Sequence, residues 1–234
     1  MKDIKSPAAV IALPDTGQLP QTGQLETPAI NRVVRNTYAL LSMTLVFSAL
    51  TAAASVALKL PHPGLIITLV GYFGLLFLTT KFRNSSLGVL SVFGLTGFMG
   101  YTLGPIVTHY LGLPNGGMTV TMAMAGTATI FLALSGYAFT SKKDFSFMGG
   151  FLTAGILVAF LAGLGAIFFD IPALSLTVSA AFVLLMSGLI LYETSNIIHG
   201  GETNYVMATV SLFVSIFNLF TSLLQLLGFA NNNE

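Results

Sequence analysis

Seven apolar runs, each long enough to cross about 30 Å of hydrocarbon as a helix, follow one another along this 234-residue chain. They lie near residues 37–58, 64–80, 87–111, 118–140, 147–169, 174–197 and 206–229. Short links of turn-forming residues separate them, among them Pro61-His62-Pro63-Gly64, Pro114-Asn115-Gly116-Gly117, Ser141-Lys142-Lys143-Asp144 and His199-Gly200-Gly201-Glu202. Lipid offers a backbone no hydrogen-bond partner, so runs of this length must close their own bonds as helices. Charged residues make up 7% of the chain, against roughly 25% in an average soluble domain, and a monomer so poor in charge needs lipid around most of its surface. The expected fold is therefore an all-α membrane protein, a seven-transmembrane-helix bundle over residues 31–230.

Residues 1–30 hold four of the nine prolines and a short echo, Thr16-Gly17-Gln18-Leu19 and Thr22-Gly23-Gln24-Leu25. This composition reads as a disordered tail, and its longest apolar run, Ala8 to Leu13, is too short for a signal-peptide core. Such a tail is either a passive extension or a handle for a partner. Seven crossings put Lys2, Lys5, Arg32, Arg35, Lys81, Arg83, Lys142 and Lys143 on the tail's side and leave Lys59 alone opposite. By the positive-inside tendency the N-terminus is cytoplasmic and the C-terminus lies across the bilayer. With no Trp in the chain, interfacial anchoring falls to Tyr38, Tyr110, Tyr137 and Tyr205.

Within the spans, small and polar residues recur at helical spacing: Thr44, Ser48, Thr51 and Ser55 in the first, Gly94, Gly97, Tyr101 and Gly104 in the third. Such stripes let membrane helices approach closely and are expected to face inward. Gly104-Pro105 is expected to kink or interrupt the third helix and free a carbonyl, a feature of packing or of an ion site. The seventh span carries Ser211, Ser215, Asn218, Ser222 and Gln225 in line, more polar groups than packing requires.

Glu193 is the most informative residue, because it comes after the apolar run Leu174 to Leu191 and a carboxylate there is costly unless protein or water surrounds it. It either reaches the headgroups from the helix end or forms a buried site. In the second case Ser215 and Asn218 of the seventh span, with Asn196 on its own helix, are its expected company as a pH-sensing or ion-binding group.

Other chemistries lack their residues. The basic residues form no stripe for nucleic acid, and no Cys is present to make a disulfide, a thiolate metal site or a nucleophile. His62, His109 and His199 sit in different links without metal-ligand spacing, and His199 with Glu202 reads as a solvated turn. No His stands mid-span to activate a serine, and no glycine-rich phosphate loop occurs. The expectation is a protein that is not an enzyme and holds no cofactor and no metal.

Several segments carry a family resemblance. Asn36-Thr37-Tyr38, Gly97-Phe98-Met99-Gly100-Tyr101-Thr102-Leu103-Gly104-Pro105-Ile106, Lys143-Asp144-Phe145-Ser146-Phe147-Met148-Gly149-Gly150, Leu191-Tyr192-Glu193-Thr194-Ser195-Asn196-Ile197-Ile198 and Ser211 to Phe220 together resemble the Bax inhibitor-1 (transmembrane Bax inhibitor motif) family. The chain looks most similar to the bacterial branch that modulates the membrane-anchored AAA protease FtsH. The resemblance implies a bundle around a central helix, a multi-pass place in the bacterial inner membrane, and FtsH as partner beside the lipid bilayer. Calcium-leak members of the family pair an aspartate of the sixth helix with one of the seventh as a pH sensor. Glu193 matches the first and Ser215 the second, so a calcium leak gated around Glu193, the alternative function, would here lack its second carboxylate.

Overall fold

The computed structural model describes residues 27–231, and each apolar run is a helix in it. The helices are α1 (Thr27–Ala57), α2 (Leu65–Phe82), α3 (Ser86–Leu111), α4 (Gly116–Ser141), α5 (Gly149–Phe168), α6 (Pro172–Ile198) and α7 (Tyr205–Asn231). One 3-10 turn, Ser146–Met148, leads into α5. All seven are long and apolar enough to cross a membrane, which makes the chain a seven-span helical bundle. Residues 1–26, most of the expected tail, lie outside the described residues. Residues 27–30, read from the sequence as the end of that tail, form the first turn of α1. Pro28 favours this start, because the first N–H groups of a helix have no intrahelical acceptor and a proline there loses nothing.

α7 is the axle. It packs against α1, α2, α3, α4 and α6, and its Val206, Leu212, Phe213, Leu219 and Leu224 are wholly or almost wholly buried. α5 packs on the outside of α6. Its Phe151, Leu157, Val158 and Leu161 are exposed, the arrangement of a helix whose outer face is turned to lipid.

The small-residue stripes of α1 and α3 meet each other. Gly97 lies under the Phe47 ring, Gly100 against Ser48 and Thr51, and Gly104 against Ser55 and the Ala52 carbonyl, each so close that a Cβ would overlap its neighbour. The stripes are thus packing surfaces, since without a side chain the two backbones can approach and gain dispersion contacts. α3 runs through Gly104-Pro105 to Leu111, so the expected interruption is not found. Pro105 has no N–H for the Tyr101 carbonyl four residues back. The Ser55 hydroxyl of α1 donates to that carbonyl at 3.1 Å, so the oxygen the proline frees is taken by protein.

The α6–α7 connection is built from strong local signals. Gly200, at φ 75°, ends α6 in the left-handed conformation, and the Gly201 N–H bonds back to the Asn196 carbonyl at 2.8 Å. Asn204 then caps α7, its Oδ1 accepting the N–H groups of Val206 and Met207 at 3.0 and 3.1 Å. Its Nδ2 donates to the Arg83 carbonyl and to Asn84 Oδ1, which ties the α2–α3 link to the same end of the bundle.

Candidate functional site

Glu193 stands in the second-last turn of α6, half-buried, near the end of the bundle that carries Lys81, Arg83, Lys142 and Lys143. Its carboxylate lies near enough to the Ser211 hydroxyl of α7 and to the Glu202 carboxylate for both to act on it. The side chain is therefore engaged between two helices.

The partners expected from the sequence bond elsewhere. Ser215 is fully buried and its Oγ donates to the Ser211 carbonyl at 2.8 Å, within α7. Asn218 Nδ2 likewise donates to the Val214 carbonyl at 2.9 Å. Asn196 belongs to the helix end, where its carbonyl accepts from Gly201 and Glu202. The reason is the register of the α6–α7 hairpin. Glu193 and Ser211 lie nine residues either side of Glu202, so an antiparallel pair turning there sets them at one depth. Ser215 is a full turn deeper, about 6 Å along the axis. The family's paired carboxylates have no counterpart here, since Ser215 is a hydroxyl already committed to its own helix.

Successive residues of α6 fan out at about 100° each and so reach different neighbours. Thr194 Oγ1 lies 3.2 Å from the Tyr38 hydroxyl of α1 and 3.4 Å from Ser135 Oγ of α4. Ser195 Oγ accepts the Phe145 N–H at 3.1 Å and donates to the Lys143 carbonyl at 3.1 Å, both in the α4–α5 link. In that link Asp144 Oδ1 accepts the Ser146 N–H at 2.8 Å. This backbone bond first, then the Ser146 hydroxyl and the charge of His199, holds the Asp144 carboxyl below its usual range.

Glu193-Thr194-Ser195 thus joins α6 to α7, to α1 with α4, and to the α4–α5 link. Thr194 and Ser195 carried no signal of this in the sequence, where each is one hydroxyl among many. Tyr38, expected as an interfacial anchor, is turned into the bundle and packs against Phe131 and Phe139 of α4 as well as Thr194.

Two cavities lie away from this site. An apolar groove of about 580 Å³ is lined by residues of α1 and α4 and by Phe213 and Phe217 of α7. At the opposite end of the bundle a cavity of about 480 Å³ is lined by His109, Tyr110, Asp170 and Gln225. There the Gln225 amide bonds Ser179 and Ser175 of α6, both at 2.6 Å. Three groups of the polar stripe of α7, Ser215, Asn218 and Gln225, are thus bonded to protein.

Comparison with known proteins agrees with this architecture. The family described as "Inhibitor of apoptosis-promoting Bax1" matches residues 30–233. The chain is 56% identical over 203 residues to the Modulator of FtsH protease YccA of Escherichia coli, covering 87% of this chain and 92% of that one. It is 55% identical over 209 residues to an uncharacterized protein of Pseudomonas aeruginosa, with 89% and 94% covered. It is also 45% identical over 222 residues to an uncharacterized membrane protein of Vibrio cholerae, with 94% and 100% covered. A relative from another Escherichia coli strain is named Inner membrane protein YccA, and with seven membrane-crossing helices the chain is a multi-pass protein of the bacterial inner membrane. The match over nearly all of the bundle, together with the identity to these relatives, makes the chain a member of the Bax inhibitor-1 family.

Proposed function

We propose that this protein is a non-catalytic regulator that binds the membrane-anchored AAA protease FtsH and modulates it. The observation that carries the reading is the 56% identity, over 92% of its length, to a relative named as a modulator of FtsH protease. The mechanics of extraction point the same way. An ATP-driven unfoldase needs an end to pull and must then prise apart the fold attached to it. The N-terminal segment ahead of α1, rich in proline, is the handle. The bundle behind it resists extraction, because α1 is interlocked with α3 at Gly97, Gly100 and Gly104 and is tied through Tyr38 to α6. The excess of Lys and Arg on the tail's side puts that handle in the cytoplasm.

Deleting residues 2–28 tests this directly. Co-purification with FtsH from solubilised membranes is expected to be lost, with the bundle itself still folded and inserted. Undiminished co-purification together with an unchanged half-life in FtsH-containing cells would remove the tail from the mechanism.

A further inference from the structure

His199 lies one residue beyond the end of α6 and is exposed to solvent. Both of its ring nitrogens face main-chain carbonyl oxygens. Nδ1 is 2.8 Å from the Ser195 carbonyl on its own helix, and Nε2 is 3.1 Å from the Lys142 carbonyl at the start of the α4–α5 link. A carbonyl oxygen only accepts, whereas a neutral imidazole carries one N–H and one lone pair. Each neutral tautomer therefore sets a lone pair against an oxygen at one of the two contacts. The imidazolium, with an N–H on both nitrogens, satisfies both.

The neighbouring Ser195 hydroxyl offers no escape. It already accepts from the Phe145 N–H and donates to the Lys143 carbonyl, both at 3.1 Å. It also lies 3.3 Å from Nδ1. To serve a neutral Nδ1 it would have to withdraw its proton from Lys143. The other tautomer keeps Nδ1–H on Ser195 and loses Lys142. A bare Nε2 loses Lys142, and a bare Nδ1 keeps Lys142 but faces the Ser195 carbonyl until the Ser195 hydroxyl turns to it and leaves Lys143, so either neutral ring weakens the hold of α6 on the α4–α5 link.

We propose that His199 is a protonation-controlled clamp that fastens the α4–α5 link to the C-terminal end of α6, closed as the imidazolium and released as the neutral ring. The link it holds is a strained one, with Lys142 at φ 51° in the left-handed region. The charged residues on the segments that meet at the ring are Lys142, Lys143 and Asp144 of the link, Glu202 of the α6–α7 connection and Glu193 on α6 itself. Asp144 feels the His199 charge, and the two lysines are like in sign to it. Acidification on this side of the membrane accordingly tightens the end of the bundle that holds the Glu193–Ser211 contact. The clamp does not depend on the proposed partner.

The chain contains no Cys, so spin labels can be placed at will. Phe147→Cys in the 3-10 turn and Thr203→Cys in the α6–α7 connection are both exposed. The expected result, in lipid nanodiscs, is one narrow inter-label distance at about pH 5 and a broader, longer distribution at about pH 8, the interval in which an imidazole changes charge. His199→Gln is expected to give the same distribution at both. In the unlabelled protein, protection of the Phe145 amide from hydrogen exchange, corrected for intrinsic rates, should fall by about tenfold over the same interval, as the loss of one charge-assisted bond gives. A wild-type distribution and Phe145 protection that do not change with pH would overturn the clamp, and so would the same response in His199→Gln.

Discussion

Glu193 faces α7 at the Ser211 hydroxyl, while the Glu202 carboxylate sits near enough to act on it. A glutamine at this position keeps an acceptor and a donor for Ser211 and carries no charge to face Glu202. Glu193→Gln is therefore expected to melt at or above the wild-type temperature in detergent, while Glu193→Ala, which leaves Ser211 without its partner, loses about 1–3 kcal/mol. A glutamine variant that falls as far as the alanine one would show that the charge itself holds the contact. Asp144 behaves differently, because it is exposed and its carboxyl is held low by the Ser146 N–H. A carboxylate whose folded value is depressed adds stability above its ordinary range and loses it as the pH falls through the folded value. The difference in melting temperature between wild type and Asp144→Asn should accordingly be largest near neutrality and vanish in acid. A difference that grew on acidification would reverse this assignment.

The α1–α3 seam is decided by missing side chains. A Cβ at Gly100 would run into the Ser48 carbonyl and the Thr51 hydroxyl, whereas one at Gly136 on α4 meets nothing within 4 Å. Gly100→Ala should force the two helices apart at a cost of about 1–3 kcal/mol, the usual range for overpacking. Gly136→Ala should be neutral or stabilising by up to about 1 kcal/mol through helix propensity. Chemical unfolding of the two variants side by side checks the pair, and equal losses would mean that α1 and α3 are not closely seated. The same seam explains how a proline is accommodated in α3. Ser55 supplies, from another helix, the donor that Pro105 lacks, so an element that local rules would break is completed by its neighbour.

At the scale of the molecule, the asymmetry of Lys and Arg predicts which end of the bundle is cytoplasmic. In the Cys-free chain, His62→Cys in the α1–α2 link should react with an impermeant maleimide in the periplasm of intact cells, and Thr203→Cys only after lysis. The opposite pattern would invert the protein. The spans were legible in the sequence because water and lipid sort residues by simple transfer energies, and a run of this length has no other stable place. Glu193 was legible for the same reason, as an ionisable group where lipid makes one costly. Its partner was not, because Ser211, Ser215 and Asn218 share one stripe of α7 and differ only in depth. Depth is set by where the α6–α7 hairpin turns, at Gly200 and the Asn204 cap. His199 shows the same division, since the sequence places it in a solvated turn and only the packed bundle brings the Lys142 carbonyl of a distant link to its ring. Local chemistry along the chain thus determined how many helices there are and, α1 apart, about where each begins. Which groups meet was settled by tertiary packing, because a contact between helices depends on rotation and axial offset, and neither is written in one segment alone.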